Sequence, residues 1–258
     1  WVINGQKIWT SLAHEADWGV LIARSDFDLP KHEGLTFFFL STRTPGIEIR
    51  PIKQMSGAAH FNEVFFDDVR VPDNQRLGPI NGGWKVAMSL LTGERYSLYD
   101  DFGPSFKELY TLARSLRIGE GAALDDPAVQ ERLADFHVRS TALRFTRYRI
   151  MTALGRGEPA GPEASIGKVV AASTIQDAAA YALELLGAAG IEASREMPLG
   201  GIFEESFLDS PAFRIAGGTD EILRNTIAER VLGLPQDPRV DKGIPFRDIP
   251  TGSDTDCR

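Results

Sequence analysis

The chain changes its hydrophobic period at Gly82-Gly83, and this change restricts its fold more than any other feature. Before that point, short runs rich in β-branched and aromatic residues are separated by Pro, Gly and Asp, as is typical of strands. After it, apolar residues recur at the spacing of amphipathic helices. Strands without intervening helices, followed by helices without intervening strands, predict an α+β chain.

The first region, residues 1–72, is predicted to be an antiparallel β sandwich or barrel. Residues 1–5 predict a strand that ends in an Asn-Gly hairpin turn, with residues 7–11 as the return strand. Further strands are predicted at residues 18–24, 35–40, 47–52 and 63–71. Because the chain begins at Trp1 within a predicted strand, we expect one or more strands upstream and a β domain that is only partial.

The second region, residues 73–234, is predicted to be a C-terminal four-helix bundle. The first helix begins at Trp84 and is interrupted at Gly103-Pro104, because proline removes a backbone donor. Later helices are predicted from residue 125 to about 154, from 162 to 186, and from the N-cap Thr219 to about 232. Residues 235–258 hold no periodic apolar pattern and are predicted to form a flexible tail.

The composition argues against several classes of function. A net charge of −8 and a pI of about 5.1 disfavour nucleic acid, whose phosphates need a basic surface. The single cysteine, Cys257, can form no internal disulfide, so we expect a reducing, cytoplasmic setting. The four histidines lack metal-ligand spacing, and no apolar run approaches the roughly 18 residues of a membrane span.

Several segments are similar, in order and spacing, to the acyl-CoA dehydrogenase family over about residues 1–235. The segments are Lys7-Ile-Trp-Thr-Ser11, Phe65-Phe-Asp-Asp-Val-Arg-Val-Pro72, Asn81-Gly-Gly-Trp84, Ala164-Ser-Ile-Gly-Lys168, Leu186-Gly-Ala-Ala-Gly190 and Ile215-Ala-Gly-Gly-Thr-Asp-Glu-Ile222. The resemblance implies a middle β domain and a four-helix bundle, preceded by an N-terminal helical domain. It also implies an FAD-dependent oxidoreductase of fatty acid β-oxidation that acts on acyl-CoA thioesters. The expected partners are an electron-transferring flavoprotein as acceptor and further subunits of a homo- or hetero-tetramer.

The resemblance assigns the catalytic base to Glu94. Members of this family remove an α-proton with a carboxylate while flavin N5 accepts the β-hydride, and many carry that carboxylate where this chain has Gly217. In one branch the base comes instead from the first bundle helix and is followed by arginine, as in Glu94-Arg95, where Arg95 orients or shields the site. The alternative is a solvated glutamate in a surface ion pair, which is the commoner fate of glutamate on a helix.

The resemblance also assigns residues that contact FAD. Trp9 and Ser11 are two apart on a predicted strand and should share a face, with the indole beside the flavin ring and the hydroxyl near its N5. A core tryptophan beside a surface serine is the alternative. Gly218 and Thr219 precede a helix whose first-turn amides are free to bind an anion or a polar group of flavin. A two-glycine hinge with an N-cap threonine explains the same residues without a ligand, but the resemblance favours cofactor contact. Further flavin contacts are implied for Glu184, Gly187 and Glu221.

One departure from the family pattern leaves alternatives open. The family has an Arg-Gln-x-Phe-Gly segment that reaches the flavin of a neighbouring subunit, whereas residues 116–126 here lack that Arg and Phe. This resembles heteromeric dehydrogenases in which unlike subunits share fewer flavin sites, some of which act on bulky thioesters such as steroid side chains. The chain could therefore be a non-catalytic partner subunit, or a flavin monooxygenase or oxidase on the same fold.

Overall fold

The structure is a computed structural model, and its chain forms two compact units. It describes residues 1–97, 103–158, 161, 164–192, 198–236 and 238–250, with residues 92–97 described as helical backbone only. The first unit, here called the β unit, combines Trp1–Thr92 with Asp237–Arg258. The second, the helical unit, is Gly93–Gln236.

The described part of the β unit is an antiparallel sandwich. Its strands are β1 (Val2–Ser11), β2 (Trp18–Arg24), β3 (Leu35–Ser41), β4 (Ile47–Ile52), β5 (Phe61–Arg70) and β6 (Arg76–Leu77). One sheet has the order β1-β5-β4 and the other the order β2-β3-β6. Buried side chains from both sheets form one core, namely Ile3, Leu21, Phe38, Leu40, Val69 and Val71. The α+β fold class with an antiparallel β domain is therefore confirmed.

The predicted hairpin at Asn4-Gly5 is wrong. Residues 2–11 form the single strand β1, in which Gly5 pairs with Phe66 of β5. Gly5 has a φ of 136° and lies at a register shift, so its backbone freedom makes a bulge rather than a turn. Pairing along the length of β5 outweighs the local turn preference of Asn-Gly.

Residues 238–250 contact the rest of the β unit instead of forming a free tail. In this C-terminal segment, residues 238–250, the amide of Phe246 donates to Leu29 O at 3.0 Å and that of Arg247 donates to Phe27 O at 3.1 Å. The guanidinium of Arg24 lies 4.0 Å from the centre of the Phe246 ring. The same guanidinium donates to the carbonyls of the loop between β2 and β3, including Glu33 O at 2.7 Å. An aromatic ring and two backbone hydrogen bonds therefore attach a segment whose sequence lacks periodicity.

The helices begin where the local sequence supplies caps. They are α1 (Gly83–Ser97), α2 (Phe106–Ser115), α3 (Pro127–Gly155), α4 (Ala164–Leu186), α5 (Ile202–Phe213) and α6 (Asp220–Arg230). Ser105 and Glu108 form a capping box on α2, and Asp126 caps α3 ahead of Pro127. Between α2 and α3, β7 (Arg117–Ile118) pairs with β8 (Gly121–Ala122).

Helix α5 was not predicted from the sequence. Two of its buried positions carry serine, Ser206 and Ser210, and Pro211 lies inside it, so the apolar period is interrupted. The Phe203 ring of α5 nevertheless lies in the bundle core with Leu109, Leu112, Phe136 and Ala182. Tertiary packing, not local periodicity, defines this element.

Helix α4 is the most apolar element of the bundle. With its extension it spans Ala164–Ile191, and by length and composition it is the one helix among the described residues that could cross a membrane. The sequence predicted no membrane span, because no uninterrupted apolar run approaches roughly 18 residues. The helix is lined with small buried residues such as Ala171, Ala178 and Ala182, and it contacts α3, α5 and α6. This packing accounts for its apolar character as that of a bundle core helix.

Candidate active site

The end of β1 holds Trp9 in a conformation that few tryptophans adopt. Trp9 has a φ of 62°, in the left-handed region, and the register of β1 against β5 shifts between Lys7 and Thr10. Such a backbone costs about 1–2 kcal/mol for a residue with a Cβ. Strained residues of this kind concentrate at functional sites, where they aim a side chain. The bulge leaves the indole 60% exposed, in edge contact with Phe61.

Ser11 lies two residues further on and is also exposed. Within the described part of the chain its hydroxyl has no hydrogen-bond partner, so it is available to a ligand. Because of the bulge, simple strand alternation does not determine how Trp9 and Ser11 face one another. The alternative of a buried core tryptophan is wrong, because the indole is exposed.

A buried charge cluster supports the loop between α5 and α6. Asp220 is 1% exposed and accepts from Arg214 Nε at 2.8 Å, while its other carboxylate oxygen lies 3.5 Å from Lys168 Nζ. Lys168, 8% exposed on α4, also donates to Gly218 O at 2.8 Å. A backbone hydrogen bond also joins the two ends of the loop, because the amide of Asp220 donates to Arg214 O at 3.1 Å. We call Lys168, Arg214 and Asp220 the loop cluster.

Burial and charge act in opposite directions on this cluster. Burial would raise the pKa of Asp220, but the hydrogen bond and charge of Arg214, with the charge of Lys168, outweigh it and hold that pKa below its ordinary value. Burial lowers the pKa of Lys168, and the nearby Asp220 carboxylate opposes this shift. The carboxylate is therefore held in its ionised form. Lys168 belongs to one of the segments that carry the family resemblance. Its contact with Gly218, 50 positions away, could not be predicted from the sequence.

The glycines of this loop have different surroundings. Gly217 has a φ of 66°, and a Cβ built on it meets nothing within 4 Å. Gly218 has a φ of 104°, and a Cβ there would lie 3.3 Å from Leu223 Cδ2. Position 217 can thus hold a side chain at the cost of a left-handed backbone, whereas position 218 requires glycine.

The amides at the start of α6 are not free, which corrects the expected anion site. Asp220 N donates to Arg214 O, Ile222 N donates to the Thr219 hydroxyl, and Leu223 N donates to Thr219 O. The exposed Glu221 carboxylate accepts from its own amide and from the Thr219 hydroxyl, which lowers the pKa of Glu221. Any cofactor contact here must come from side chains or from the backbone of the glycine loop.

The remaining predicted residues lie on α1 and at the end of α4. Glu184 is exposed, and Gly187 ends α4 with a φ of 58° and open space around its Cβ position. Glu94 and Arg95 belong to α1, but their side chains fall outside the described residues.

The helical unit also contains a cavity of about 480 Å³ that the sequence did not predict. It lies between the start of α2, the second half of α3 and the first half of α4. Apolar walls such as Phe136, Ile150 and Ile175 are combined with basic residues such as His137 and Arg144. A space of this chemistry suits an apolar group that carries negative charge.

An antiparallel β unit and a helical bundle are the two domain types that the resemblance implies, and the class of protein they define is the acyl-CoA dehydrogenase fold. Residues 1–69 match the model for the middle domain of acyl-CoA dehydrogenases, and residues 81–232 match the model for their C-terminal domain. The chain belongs to the acyl-CoA dehydrogenase family.

Mycobacterial dehydrogenases are among its relatives. The chain is 37% identical over 238 residues to acyl-CoA dehydrogenase FadE34 of Mycobacterium tuberculosis, covering 92% of this chain and 32% of that protein. It is 38% identical over 242 residues to acyl-CoA dehydrogenase IpdE1 of the same organism, covering 93% of this chain and 61% of that protein. The chain therefore spans about a third of one relative and about three fifths of the other.

Solved structures share the fold, and two of them carry two protein names in their titles. The Tcur3481-Tcur3483 steroid ACAD aligns with a TM-score of 0.81 at 29% identity, over 92% of this chain and 61% of that one. The ChsE4-ChsE5 complex from Mycobacterium tuberculosis aligns with a TM-score of 0.78 at 29% identity, over 92% of this chain and 62% of that one.

The side chains present fit FAD, the cofactor of this family. The β unit offers an exposed indole plane at Trp9 and an uncommitted hydroxyl at Ser11. The helical unit offers a glycine loop whose Gly217 is open on its Cβ side. Planar aromatic rings bind to such surfaces by stacking, and their ring nitrogens accept from hydroxyl groups.

Proposed function

We propose that the protein catalyses FAD-dependent α,β-dehydrogenation of an acyl-CoA thioester, with Glu94 as the base. FAD, when bound, supplies the hydride acceptor. Glu94 takes the α-proton, and Arg95 orients or shields that carboxylate. Trp9, Ser11 and the glycine loop hold the cofactor, with Glu184, Gly187 and Glu221 as further contacts.

The observation that carries this proposal is Gly217. It stands where the resemblance puts the carboxylate of many relatives, and it has no side chain to remove a proton. The loop cluster nevertheless holds that loop in a defined shape, so the loop is retained while the base is absent from it. Removal of the α-proton then requires a base elsewhere. We assign it to Glu94 on α1, which is followed by Arg95.

The substrate class follows from charge and apolarity. An acyl-CoA combines an apolar acyl group with an anionic head, and the cavity of the helical unit combines apolar walls with basic residues. A bulky, ring-containing acyl group is favoured by the similarity to a structure titled as a steroid ACAD. The proposed electron acceptor is an electron-transferring flavoprotein.

The test is Glu94→Gln in the intact protein. We expect bound FAD to be retained and turnover to fall by about 10²–10⁴-fold, the usual contribution of a general base. Flavin absorbance reports binding, and its bleaching by a panel of straight-chain and ring-containing acyl-CoAs reports turnover. The matched control is Glu131→Gln, the same change on an exposed part of α3, which should keep full activity. Unchanged turnover in Glu94→Gln would remove Glu94 from the mechanism.

A second substitution separates the loss of a base from the loss of a fold. Adding Gly217→Glu to the Glu94→Gln variant places a carboxylate where other family members carry one. The Cβ of the new residue meets no atom within 4 Å, and its left-handed backbone costs about 1–2 kcal/mol. Partial recovery of turnover is expected only if the missing function was proton removal.

A second candidate function is that of a partner subunit in a heteromeric dehydrogenase. Residues 117–122 form the short β7–β8 hairpin in the stretch where the family's Arg and Phe are absent, and both solved structures above are titled with two proteins. In that case the isolated chain holds little FAD, and co-expression with its partner restores it. A flavin-to-chain ratio of one in a homo-oligomer contradicts this candidate.

A further inference from the structure

The buried cation on α4 belongs to the loop cluster, but the function proposed above does not distinguish its role from that of Arg214. Lys168 is 8% exposed, and its nearest charged partner is Asp220, whose Oδ1 lies 3.5 Å from Lys168 Nζ while its Oδ2 accepts from Arg214 at 2.8 Å. A lysine is costly to bury, so a stabilising ion pair with Asp220 does not by itself account for it. Its shorter contact is with Gly218 O, at 2.8 Å.

The two cations of the loop cluster have different geometries. Arg214 lies at the end of α5 and bonds to Asp220 and to Gln176 Oε1, at 3.3 Å, so it closes the base of the loop. Lys168 comes from a different helix and reaches the backbone inside the loop. Removing either cation takes one positive charge from Asp220, but only Lys168 fixes the carbonyl of Gly218.

The carbonyl of Gly218 determines the shape of the whole loop. With φ values of 66° at Gly217 and 104° at Gly218, this dipeptide has access to many backbone states. A charge-assisted hydrogen bond from Lys168 to the Gly218 carbonyl selects a single state. We propose that Lys168 is a positioning residue that holds the Gly217–Thr219 loop in the shape that receives the flavin.

The three residues of the loop cluster carry a net charge of +1, from Lys168, Arg214 and Asp220. The exposed Glu221 adds a further, weaker negative charge near Lys168. A cation below the loop favours the more negative, reduced form of a bound flavin, because charge near the ring tunes its electronics. Lys168 therefore contributes to the reduction potential as well as to binding.

The test compares Lys168→Met with Arg214→Met and Lys168→Arg, and it depends on the proposed FAD site. In the intact protein, FAD affinity is measured by fluorescence titration of the apoprotein and stability by thermal unfolding. We expect Lys168→Met to weaken FAD binding by about tenfold, equivalent to about 1.4 kcal/mol. Arg214→Met, at a similar loss of melting temperature, should weaken binding much less. Lys168→Arg should recover part of the affinity.

The midpoint potential of the bound flavin is the second measurement, because a loss of stability alone does not move it. We expect a lower potential in Lys168→Met and a value near wild type in Lys168→Arg. Equal FAD affinities in Lys168→Met and Arg214→Met, or a potential unchanged by Lys168→Met, overturn the inference. Absence of FAD from the wild type overturns the proposed function and this inference together.

Discussion

Substituting Asp220 by asparagine tests how much the loop cluster contributes to stability. The asparagine has nearly the same shape but carries no charge. Lys168 then remains buried with only the Gly218 carbonyl, and Arg214 loses its bond to the carboxylate. Removing one partner of a buried ion pair costs about 3–5 kcal/mol, because the other charge stays buried without compensation.

Two features of the structure make the expected loss of stability smaller than about 3–5 kcal/mol. The side chain of Arg214 is 41% exposed and can recover hydration, and Lys168 keeps its bond to Gly218. We therefore expect Asp220→Asn to lower the free energy of unfolding by about 2–4 kcal/mol. For a protein of this size, 3 kcal/mol corresponds to a fall in melting temperature of roughly 6–12 °C.

The control is Asp177→Asn, the same chemical change on the surface of α4. Asp177 also forms an ion pair at 2.8 Å, with Arg139, but its side chain is 49% exposed. Exposed pairs contribute only about 0–1 kcal/mol, so the control should unfold near the wild-type temperature. Circular dichroism melts of both variants provide the comparison. If the two variants lose the same stability, burial of the loop cluster does not increase the cost of removing its negative charge.

The stability of the wild type should also depend on pH in one direction. The pKa of Asp220 lies below its ordinary value of 3.8 in the folded chain, so the folded state binds its proton less readily than the unfolded state. The ionised Asp220 therefore makes its full contribution to the free energy of unfolding above pH 3.8. That contribution is lost as the pH falls through the lowered pKa of Asp220. The difference between wild type and Asp220→Asn should shrink over that acidic range. A difference that stays constant there would contradict the assigned ionisation.

Two further predictions concern other parts of the fold. Gly83→Ala should destabilise the protein by more than about 2 kcal/mol, because its Cβ would lie 2.7 Å from Thr36 C and 2.8 Å from Phe37 N, whereas Gly155→Ala, in open space on α3, should stabilise by about 0.5–1 kcal/mol. Urea unfolding measures both, and equal effects would argue against the close approach at Gly83. Phe246→Ala should release the C-terminal segment from Arg24, which limited proteolysis would detect as faster cleavage within residues 238–250.

The sequence predicted the order and class of the elements because their signals are local. The capping box at Ser105 and the cap at Asp126 define helix starts without help from distant residues. Elements that depend on distant partners were missed. Asn4-Gly5 became a bulge because β5 pairs along the whole of β1, and the serines of α5 are buried by packing that no local period reveals.

The candidate site shows the same division. Trp9, Ser11, Gly218 and Thr219 were selected by residue type and by family resemblance, both of which the sequence carries. The strained φ of Trp9 and the contact between Lys168 and Gly218 depend on register and helix packing. The amides at the start of α6 already donate hydrogen bonds within the protein. The anion site expected there is therefore absent from the described helix start.

The β unit consists of two stretches of sequence, Trp1–Thr92 and Asp237–Arg258, that are separated by the entire helical unit. During synthesis the ribosome must therefore complete Gly93–Gln236 before Phe246 can reach Arg24 and the loop between β2 and β3. The strands of residues 1–77 therefore keep that loop uncovered until the helical unit and residues 238–250 have been translated. Expression of residues 1–92 alone would reproduce this nascent state, and a separately supplied peptide spanning residues 238–250 would be its natural complement.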